Sequence, residues 1–322
     1  MDIAENSLLK RIARFGGRGG GSVLRGIGDD GAVVALSEGS YVFVQDALVE
    51  HIHFDLALQK PFDLGKKAVY VNVSDVLAMG AEPLYFLVSL GIPPSVSSGA
   101  IEELYRGMNR AAKEFGVVLI GGDTTGSDKD LFIDVSMIGC LRVSEYLGRD
   151  KALSGDLIGV TGVLGESAYG LDLLRKQPEA PPNRFTRRYI RPRPPLETWR
   201  ALMQEGIPRA MMDISDGLMV DLERMMEQSR KAAVIYMEKL PIPAVLVREG
   251  KESLALAGGE DYQFLFTFDR ERRKAVEALK GSGFALSVIG EVRAGRGVRL
   301  FDKGTERKVA MKGYEHFREQ LT

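Results

Sequence analysis

The chain has 322 residues, enough for about two domains, and its 45% hydrophobic residues can fill two cores. A net charge of −1 provides no basic field to attract nucleic acid, and one cysteine excludes both an intramolecular disulfide and a clustered cysteine metal site. No apolar run approaches the roughly 18 residues that span a bilayer, and no secretory signal is visible. We therefore expect a cytoplasmic protein without a membrane or nucleic-acid partner.

The first half of the chain mixes strand and helix signals. The glycine-dense segment 16–21 is predicted to be a loop rather than a phosphate cradle, because the chain lacks the G-x-x-x-x-G-K-[ST] pattern of a P-loop. β-branched and aromatic runs predict strands, whereas an apolar period of three to four residues predicts helices. The predicted strands are 41–46, 84–92, 117–123 and 131–142, and the predicted helices are 66–80 and 100–116. Cys140 falls in the last of these strands, where we expect a buried thiol.

Polar and glycine-containing residues interrupt this pattern at 143–156, and we place a domain boundary there, giving domains 1–148 and 149–322. The second half opens with the apolar segment 156–165, followed by a predicted helix near 165–176. Residues 177–195 contain six prolines and five arginines and are interpreted as an exposed loop. Strands and helices then alternate to the end without a strict βαβ rhythm, which predicts a mixed α/β (α+β) fold in two domains.

Acidic residues recur where apolar segments end. They occur in the motifs GIGDD (26–30), VFVQD (42–46), NVSD (72–75), VLIGGD (118–123), MDISD (212–216) and LAGGED (256–261). Carboxylates at several element ends can converge at one edge of a sheet, and like charges brought together must be neutralised. Magnesium suits such oxygen ligands together with substrate phosphates, whereas three histidines give little support for a zinc site.

One short pattern, [ND]-[VI]-S-D-x-L, occurs once in each half, at 72–77 and 213–218. Its simplest interpretation is that Ser-Asp caps a helix twice, and chance is an alternative. If the first copy lies inside a helix, Asn72 and Asp75 are three residues apart and share one side.

The order and spacing of these motifs, from GIGDD to GYEHF at 313–317, resemble the thiamine-monophosphate kinase family, in the superfamily of aminoimidazole ribonucleotide synthetase. The resemblance implies an N-terminal α/β domain that forms a dimeric β-barrel with its partner, and a larger C-terminal α/β domain that completes the active-site cleft. It also implies ATP-dependent phosphorylation of thiamine monophosphate to thiamine diphosphate, by direct in-line transfer assisted by several Mg²⁺ ions, in a homodimer.

Matching the family's motifs residue by residue implies a set of ligands in this chain. The implied metal ligands are Asp30, Gln45, Asp46, Asp75, Asp123, Asp213 and Asp216. The implied nucleotide contacts are Gly122, Asp123, Arg149 and Ser215, and the implied substrate contacts are His53, Glu260 and Tyr314. No catalytic base is assigned, because the acceptor phosphate is already ionised near neutral pH and the task is to align two anions.

Two positions depart from the family pattern. Val44-Gln45 stands where the family usually has hydroxyl residues that give a metal oxygen, so the Gln45 amide or the backbone would have to replace it. His51 stands where the family usually has glycine, and we expect its side chain to point to solvent. Asp29 is interpreted as a turn residue beside Asp30.

Other members of the superfamily fit less well. A selenophosphate synthetase needs a reactive Cys or selenocysteine near the N-terminus, and a hydrogenase-maturation dehydratase needs a C-terminal cysteine, but the only cysteine here is Cys140. Aminoimidazole ribonucleotide synthetase itself fits the GYEHF motif poorly. A non-catalytic nucleotide-binding regulator with the same fold remains an alternative, suggested by Val44-Gln45.

Overall fold

The computed structural model describes residues 11–16, 22–25, 33–141 and 145–307. The chain divides into two compact units, Met1–Leu77 with Ala81–Glu145 and Ala78–Gly80 with Tyr146–Thr322. Each unit combines sheet and helix, which confirms the predicted mixed α/β class. Among the described residues, no helix is both long enough and apolar enough to cross a membrane.

The first unit is built on a four-stranded sheet with the strand order β3-β6-β4-β5, in which only β4 and β5 run parallel. A separate two-stranded sheet joins β1 and β2, and a short 3₁₀ turn covers Ala13–Phe15. The elements in chain order are β1 (Val23–Arg25), β2 (Val33–Val34), β3 (Tyr41–Val49), α1 (Pro61–Ala78), β4 (Ala81–Ile92), α2 (Ser98–Phe115), β5 (Val118–Gly126) and β6 (Phe132–Leu141).

The helices of this unit begin and end where local chemistry dictates. The Ser97 side chain accepts a hydrogen bond from the Ala100 backbone at 3.2 Å at the start of α2, and Gly116 ends that helix in the left-handed conformation, with φ 70°. Glycines allow α1 and α2 to pack with their backbones in contact, because a Cβ at Gly65 or Gly107 would overlap a carbonyl oxygen of the other helix.

The four-stranded sheet has two different faces. One face carries Leu48, Val88 and Val135, all buried. Strand alternation places three other side chains on the opposite face, which leaves Phe43 71%, Leu87 37% and Phe132 37% exposed. The sheet therefore presents a face with exposed apolar side chains among polar ones, which the rest of the described unit does not cover.

The second unit is built on a seven-stranded sheet with the order β13-β12-β9-β11-β7-β10-β8. All neighbours are antiparallel except β9 and β12. The strands are β7 (Leu157–Thr161), β8 (Ala210–Asp213), β9 (Ala232–Tyr236), β10 (Phe264–Phe268), β11 (Leu286–Arg293), β12 (Gly297–Asp302) and β13 (Thr305–Arg307). The helices are α3 (Glu166–Lys176), α4 (Arg184–Ile190), α5 (Leu196–Gln204), α6 (Leu218–Ser229), α7 (Ala244–Arg248), α8 (Ser253–Ala257) and α9 (Arg273–Gly281).

The predicted elements of the first half are confirmed with shifts of a few residues at their ends, and Cys140 is buried in β6 as expected. The interpretation of 177–195 as an exposed loop is wrong, because α4 lies inside it. Asn183 begins that helix with a capping box, in which its side chain accepts the Thr186 backbone N–H while the Thr186 hydroxyl accepts the Asn183 backbone N–H. The proline content of the segment obscured this signal.

Candidate active site

Two loops of the second unit lie side by side and bring four predicted site residues together. The first follows β8 and contains Ser215, and the second precedes β10 and contains Glu260. The Glu260 backbone N–H donates to the Ser215 carbonyl at 2.8 Å, and the Tyr262 N–H donates to the Ile214 carbonyl at 2.9 Å. The register of β8 and β10, which pairs Asp213 with Phe264, sets this alignment. The loops therefore gather the predicted residues Asp213, Ser215, Asp216 and Glu260.

The contact between these loops requires glycine and unusual backbone angles. A Cβ at Gly259 would lie 2.5 Å from the Ser215 carbonyl oxygen, and one at Gly217 would lie 2.9 Å from the Ala257 backbone. Glu260 and Tyr262 both adopt the left-handed region, with φ of 64° and 46°. Non-glycine residues rarely take these angles, so neighbouring contacts must hold them there.

A buried carboxylate that the sequence analysis missed holds the first loop. Asp221, in the first turn of α6, accepts the backbone N–H groups of Ser215, Asp216 and Gly217, each at 3.1 Å. Burial, followed by the nearby Asp216 charge, raises the pKa of Asp221 to about 6. One sequence signal could have indicated Asp221: it is an acid five residues after Asp216, in the first turn of a helix. The free backbone N–H groups at a helix N-terminus stabilise a negative charge there.

Arg224 joins this carboxylate to a predicted metal ligand. Its guanidinium lies 2.5 Å from Asp216 and 2.9 Å from Asp221. Asp216 is partly exposed, whereas Asp213 is buried at the end of β8. Arg224 could not be predicted from the sequence either, because no spacing rule links it to the motif.

A second missed carboxylate, Asp261, holds the other loop. It is buried and accepts the backbone N–H groups of Gly165 at 2.6 Å and Ser167 at 3.2 Å. Burial raises its pKa to about 7, although these two N–H groups and the charge of Arg188 act in the opposite direction. Asp261 lies inside the GGEDY motif, but the sequence did not indicate which of its two acids points inward.

Arg149, a predicted nucleotide contact, lines a cavity of the second unit. The cavity has a volume of about 560 Å³, within the usual range for small-molecule sites. Its lining residues are Met79, Tyr146, Gly148, Arg149, Asp150 and Gln228. The Arg149 carbonyl accepts a hydrogen bond from the Ser229 hydroxyl at 2.6 Å, which fixes the backbone at this edge.

The predicted metal ligands of the first unit are not gathered in the same way. Asp46 lies on β3 and Asp123 on β5, at opposite edges of the four-stranded sheet. Three strand spacings separate them, about 14 Å along the sheet. Ligands of one Mg²⁺ ion each lie within about 2.1 Å of it, so these two carboxylates of one chain do not share an ion.

Gln45 and Gly122 have contacts that the sequence could not reveal. Strand alternation puts Gln45 and Asp46 on opposite faces of β3, and the Gln45 amide donates to Asp134 at 2.7 Å. Its Oε1 or its backbone carbonyl is the oxygen available at this position. A Cβ at Gly122 would overlap the Val88 carbonyl oxygen, so the packing of β5 on β4 already requires glycine there.

The first copy of the repeated pattern lies inside α1, and the helix that follows the second copy has Gly217 as its N-cap and no side-chain cap, so the interpretation that Ser-Asp caps a helix is wrong for both copies. Asn72 is fully buried and its amide donates to the Ala68 carbonyl at 3.1 Å. Its Oδ1 is buried and has no hydrogen-bond partner among the described residues. An orphaned oxygen one helical turn before Asp75 fits a site that accepts a cation, and Mg²⁺ prefers this donor chemistry.

His53 is held in one tautomer. Its Nδ1 accepts the Val49 backbone N–H at 3.0 Å, which places the proton of the neutral ring on Nε2. Its backbone N–H donates to the Val49 carbonyl, and its own carbonyl accepts the ammonium of the buried Lys67 at 3.0 Å. The ring is therefore oriented as a hydrogen-bond donor through Nε2.

His51 has a left-handed backbone, with φ 64°, which explains why glycine suits this position. Its side chain is 61% exposed and lies 3.2 Å from the Asp130 carboxylate, in agreement with the expectation that it points to solvent. The predicted ligands Asp30 and Tyr314, and Asp29 beside the former, lie outside the described residues.

Comparison with known proteins identifies the family. Two family profiles match, "AIR synthase related protein, N-terminal domain" over residues 28–141 and "AIR synthase related protein, C-terminal domain" over 155–303. The chain is 35% identical to the thiamine-monophosphate kinase of Bacillus subtilis over 92% of this chain and 94% of that protein.

Solved structures agree with the sequence relatives. A thiamine-monophosphate kinase from Stenotrophomonas maltophilia K279a superposes with a TM-score of 0.82 at 31% identity, over 95% of this chain and 99% of that one. AaThiL, solved in complex with AMPPCP and TMP, superposes with a TM-score of 0.77 at 34% identity, over 90% of this chain and 92% of that one. This chain belongs to the thiamine-monophosphate kinase family of AIR synthase related proteins.

Proposed function

We propose that the protein transfers the terminal phosphate of ATP to the phosphate of thiamine monophosphate, which gives thiamine diphosphate and ADP. The observation that carries this proposal is the joined pair of loops in the second unit, which brings the predicted metal and nucleotide residues Asp213, Ser215 and Asp216 beside the predicted substrate residue Glu260. Supporting it, AaThiL was solved with AMPPCP and TMP together.

The transfer is direct and in line, with no side chain acting as a base. The acceptor oxygen belongs to a phosphate that is already ionised, so no proton has to be removed from it. When bound, several Mg²⁺ ions would neutralise the negative charge of the two reactants. The residues assigned to hold them are Asp30, Asp46, Asp75, Asp123, Asp213 and Asp216, with an oxygen of Gln45.

The remaining predicted residues bind the two reactants. Arg149, Ser215 and Gly122 contact the nucleotide, and the cavity beside Arg149 has a suitable size. His53, Glu260 and Tyr314 contact thiamine monophosphate. His53 suits this role because its Nε2–H is a hydrogen-bond donor, and the phosphate oxygens of thiamine monophosphate are acceptors.

The protein acts as a homodimer through the N-terminal sheet, in our proposal. The exposed side chains of Phe43, Leu87 and Phe132 support this assembly, since exposed apolar surface marks interaction sites. A partner would also bring a second set of strand-edge carboxylates to the first unit.

The test is a thiamine diphosphate assay on the purified protein with ATP, thiamine monophosphate and Mg²⁺. We expect turnover that EDTA abolishes, and a loss of at least about 100-fold in Asp75→Asn and Asp123→Asn, equivalent to about 2.8 kcal/mol. Glu103→Gln is the control, because this carboxylate also belongs to the first unit, on α2, and pairs with Arg106 at 2.8 Å.

Near wild-type turnover in both Asn variants would contradict the metal assignment. ATP binding without any thiamine diphosphate formation would instead favour the non-catalytic regulator. Sedimentation at micromolar concentration tests the dimer separately, and a monomer there would contradict it.

A further inference from the structure

Asp261 is a buried carboxylate between two residues in the left-handed conformation. Its Oδ2 accepts the Gly165 N–H at 2.6 Å and its Oδ1 accepts the Ser167 N–H at 3.2 Å, at the first turn of α3. Each oxygen thus receives one backbone N–H group, and both must act as acceptors. The side chain therefore anchors the loop 258–262 to the N-terminus of α3.

The backbone of Asp261 is held by a second helix. Arg188, on α4, donates from Nη2 to the Asp261 carbonyl at 2.8 Å and from Nη1 to the Arg193 carbonyl at 2.9 Å. One guanidinium joins two segments of backbone because its donors form a rigid fork, which a lysine lacks. Asp261 is therefore held through both its side chain and its carbonyl.

These contacts leave its neighbour Glu260 little freedom. The Glu260 N–H is bound to the Ser215 carbonyl, and its φ of 64° belongs to a region that non-glycine residues avoid. Loss of the Asp261 anchor would let the backbone relax toward ordinary angles and turn the Glu260 side chain away. The anchor and the direction of Glu260 are thus linked through one peptide unit.

We propose that Asp261, supported by Arg188, is a positioning residue that orients Glu260 toward thiamine monophosphate. This inference rests on the proposed function, in which Glu260 binds that substrate. Asp261 contacts backbone groups and has no contact with the reacting atoms in this role. Its loss should therefore weaken the binding of thiamine monophosphate more than it slows phosphoryl transfer or weakens ATP binding.

The experiment compares Asp261→Asn and Arg188→Lys with Glu260→Gln and the wild type. In Asp261→Asn, an amide NH₂ would face one of the two backbone N–H groups, and in Arg188→Lys one of two carbonyls would lose its donor. We expect the KM for thiamine monophosphate to rise about tenfold in all three variants, while kcat and the KM for ATP stay within about threefold.

Hydrogen–deuterium exchange of the 258–262 amides provides a readout independent of turnover, and we expect faster exchange in Asp261→Asn and Arg188→Lys only. Asp156→Asn is the matched control, because Asp156 is also buried in this unit and accepts the Leu153 N–H at 2.9 Å. We expect it to leave the KM for thiamine monophosphate and the exchange of 258–262 unchanged.

The proposal is overturned if Glu260→Gln raises the KM while Asp261→Asn and Arg188→Lys do not, or if Asp156→Asn raises it equally. It is also overturned if exchange at 258–262 is unchanged in both variants. If Asp261→Asn does not fold, Arg188→Lys alone decides, since it keeps the charge. A wild type that folds but makes no thiamine diphosphate would refute the proposed function, whereas the exchange result would still report on the anchor.

Discussion

The repeated pattern [ND]-[VI]-S-D-x-L occupies two different backbones in the two units. Residues 72–77 lie inside α1, whereas residues 213–218 run from the end of β8 through a loop into α6. Helical spacing alone places Asn72 and Asp75 on one side of α1. In the second copy, Asp213 and Asp216 are placed by a strand end and by the three N–H groups that Asp221 accepts.

The difference shows two ways of holding acids near one another. The helix positions its pair with local hydrogen bonds and leaves the Asn72 Oδ1 without a partner among the described residues. The loop depends on buried carboxylates elsewhere in the chain, Asp221 and Asp261, and on close backbone packing at Gly217 and Gly259. Changes outside the motif should therefore damage the second copy far more than the first.

The largest expected effect follows from removing the Asp221 carboxylate. Asp221→Ala would leave three backbone N–H groups without their acceptor and would remove one of the two carboxylates that Arg224 contacts, and breaking such a buried charged network costs about 3–5 kcal/mol. Asp221→Asn keeps one oxygen acceptor and should cost less. Urea unfolding of both variants measures the difference. Equal, small losses in the two variants would show that Asp221 does not hold the loop.

How far the sequence could predict this site depends on how each residue is placed. The strands and helices of the first half followed from apolar periodicity, and the spacing of Asn72 and Asp75 followed from the helix. The contact between Ser215 and Glu260 could not be predicted, because it depends on the register of β8 and β10, which residues 214–263 separate along the chain. Asp221 and Asp261 looked like ordinary surface acids, because burial is set by tertiary packing. The helix α4 was hidden because its capping box lies among prolines.

The second prediction concerns the pH dependence of stability. Only the loop beside the second copy contains Asp261, so only that region should show this dependence. Burial raises the pKa of Asp261 to about 7. The negative charge of Glu166 also raises this pKa, whereas the positive charge of Arg188 lowers it. The same carboxyl titrates near pH 4 in the unfolded chain. Between about pH 4 and pH 7, Asp261 is therefore ionised in the unfolded chain and protonated in the folded chain. The stabilisation that Asp261 contributes to the free energy of unfolding should therefore fall as pH rises, by about 1.4 kcal/mol per pH unit, and level off above about pH 7.

Asp261→Asn removes this titration, so the stability advantage of the wild type over the variant should be larger at pH 5 than at pH 8. Thermal or urea unfolding across this range provides the measurement. Asn72→Leu, in the first copy, should leave the pH slope of the wild type intact. A difference between wild type and Asp261→Asn that stays constant with pH would contradict the assignment.

The smallest expected effect belongs to Asn72 itself. Its Nδ2 donates only to the Ala68 carbonyl of its own helix, and its buried Oδ1 has no partner among the described residues, so the folded chain bears the desolvation cost of that oxygen. Leucine has a similar size and removes this cost, so the free energy of unfolding of Asn72→Leu in EDTA should be unchanged or higher by about 1 kcal/mol.

The same variant should lose part of the stabilisation that Mg²⁺ gives the wild type, because an oxygen beside Asp75 is gone. Asn72→Asp keeps an oxygen and should retain that Mg²⁺ effect. A variant that is clearly less stable in EDTA would mean that Oδ1 is already satisfied in solution, and then the helical copy, like the loop copy, would depend on partners outside its own motif.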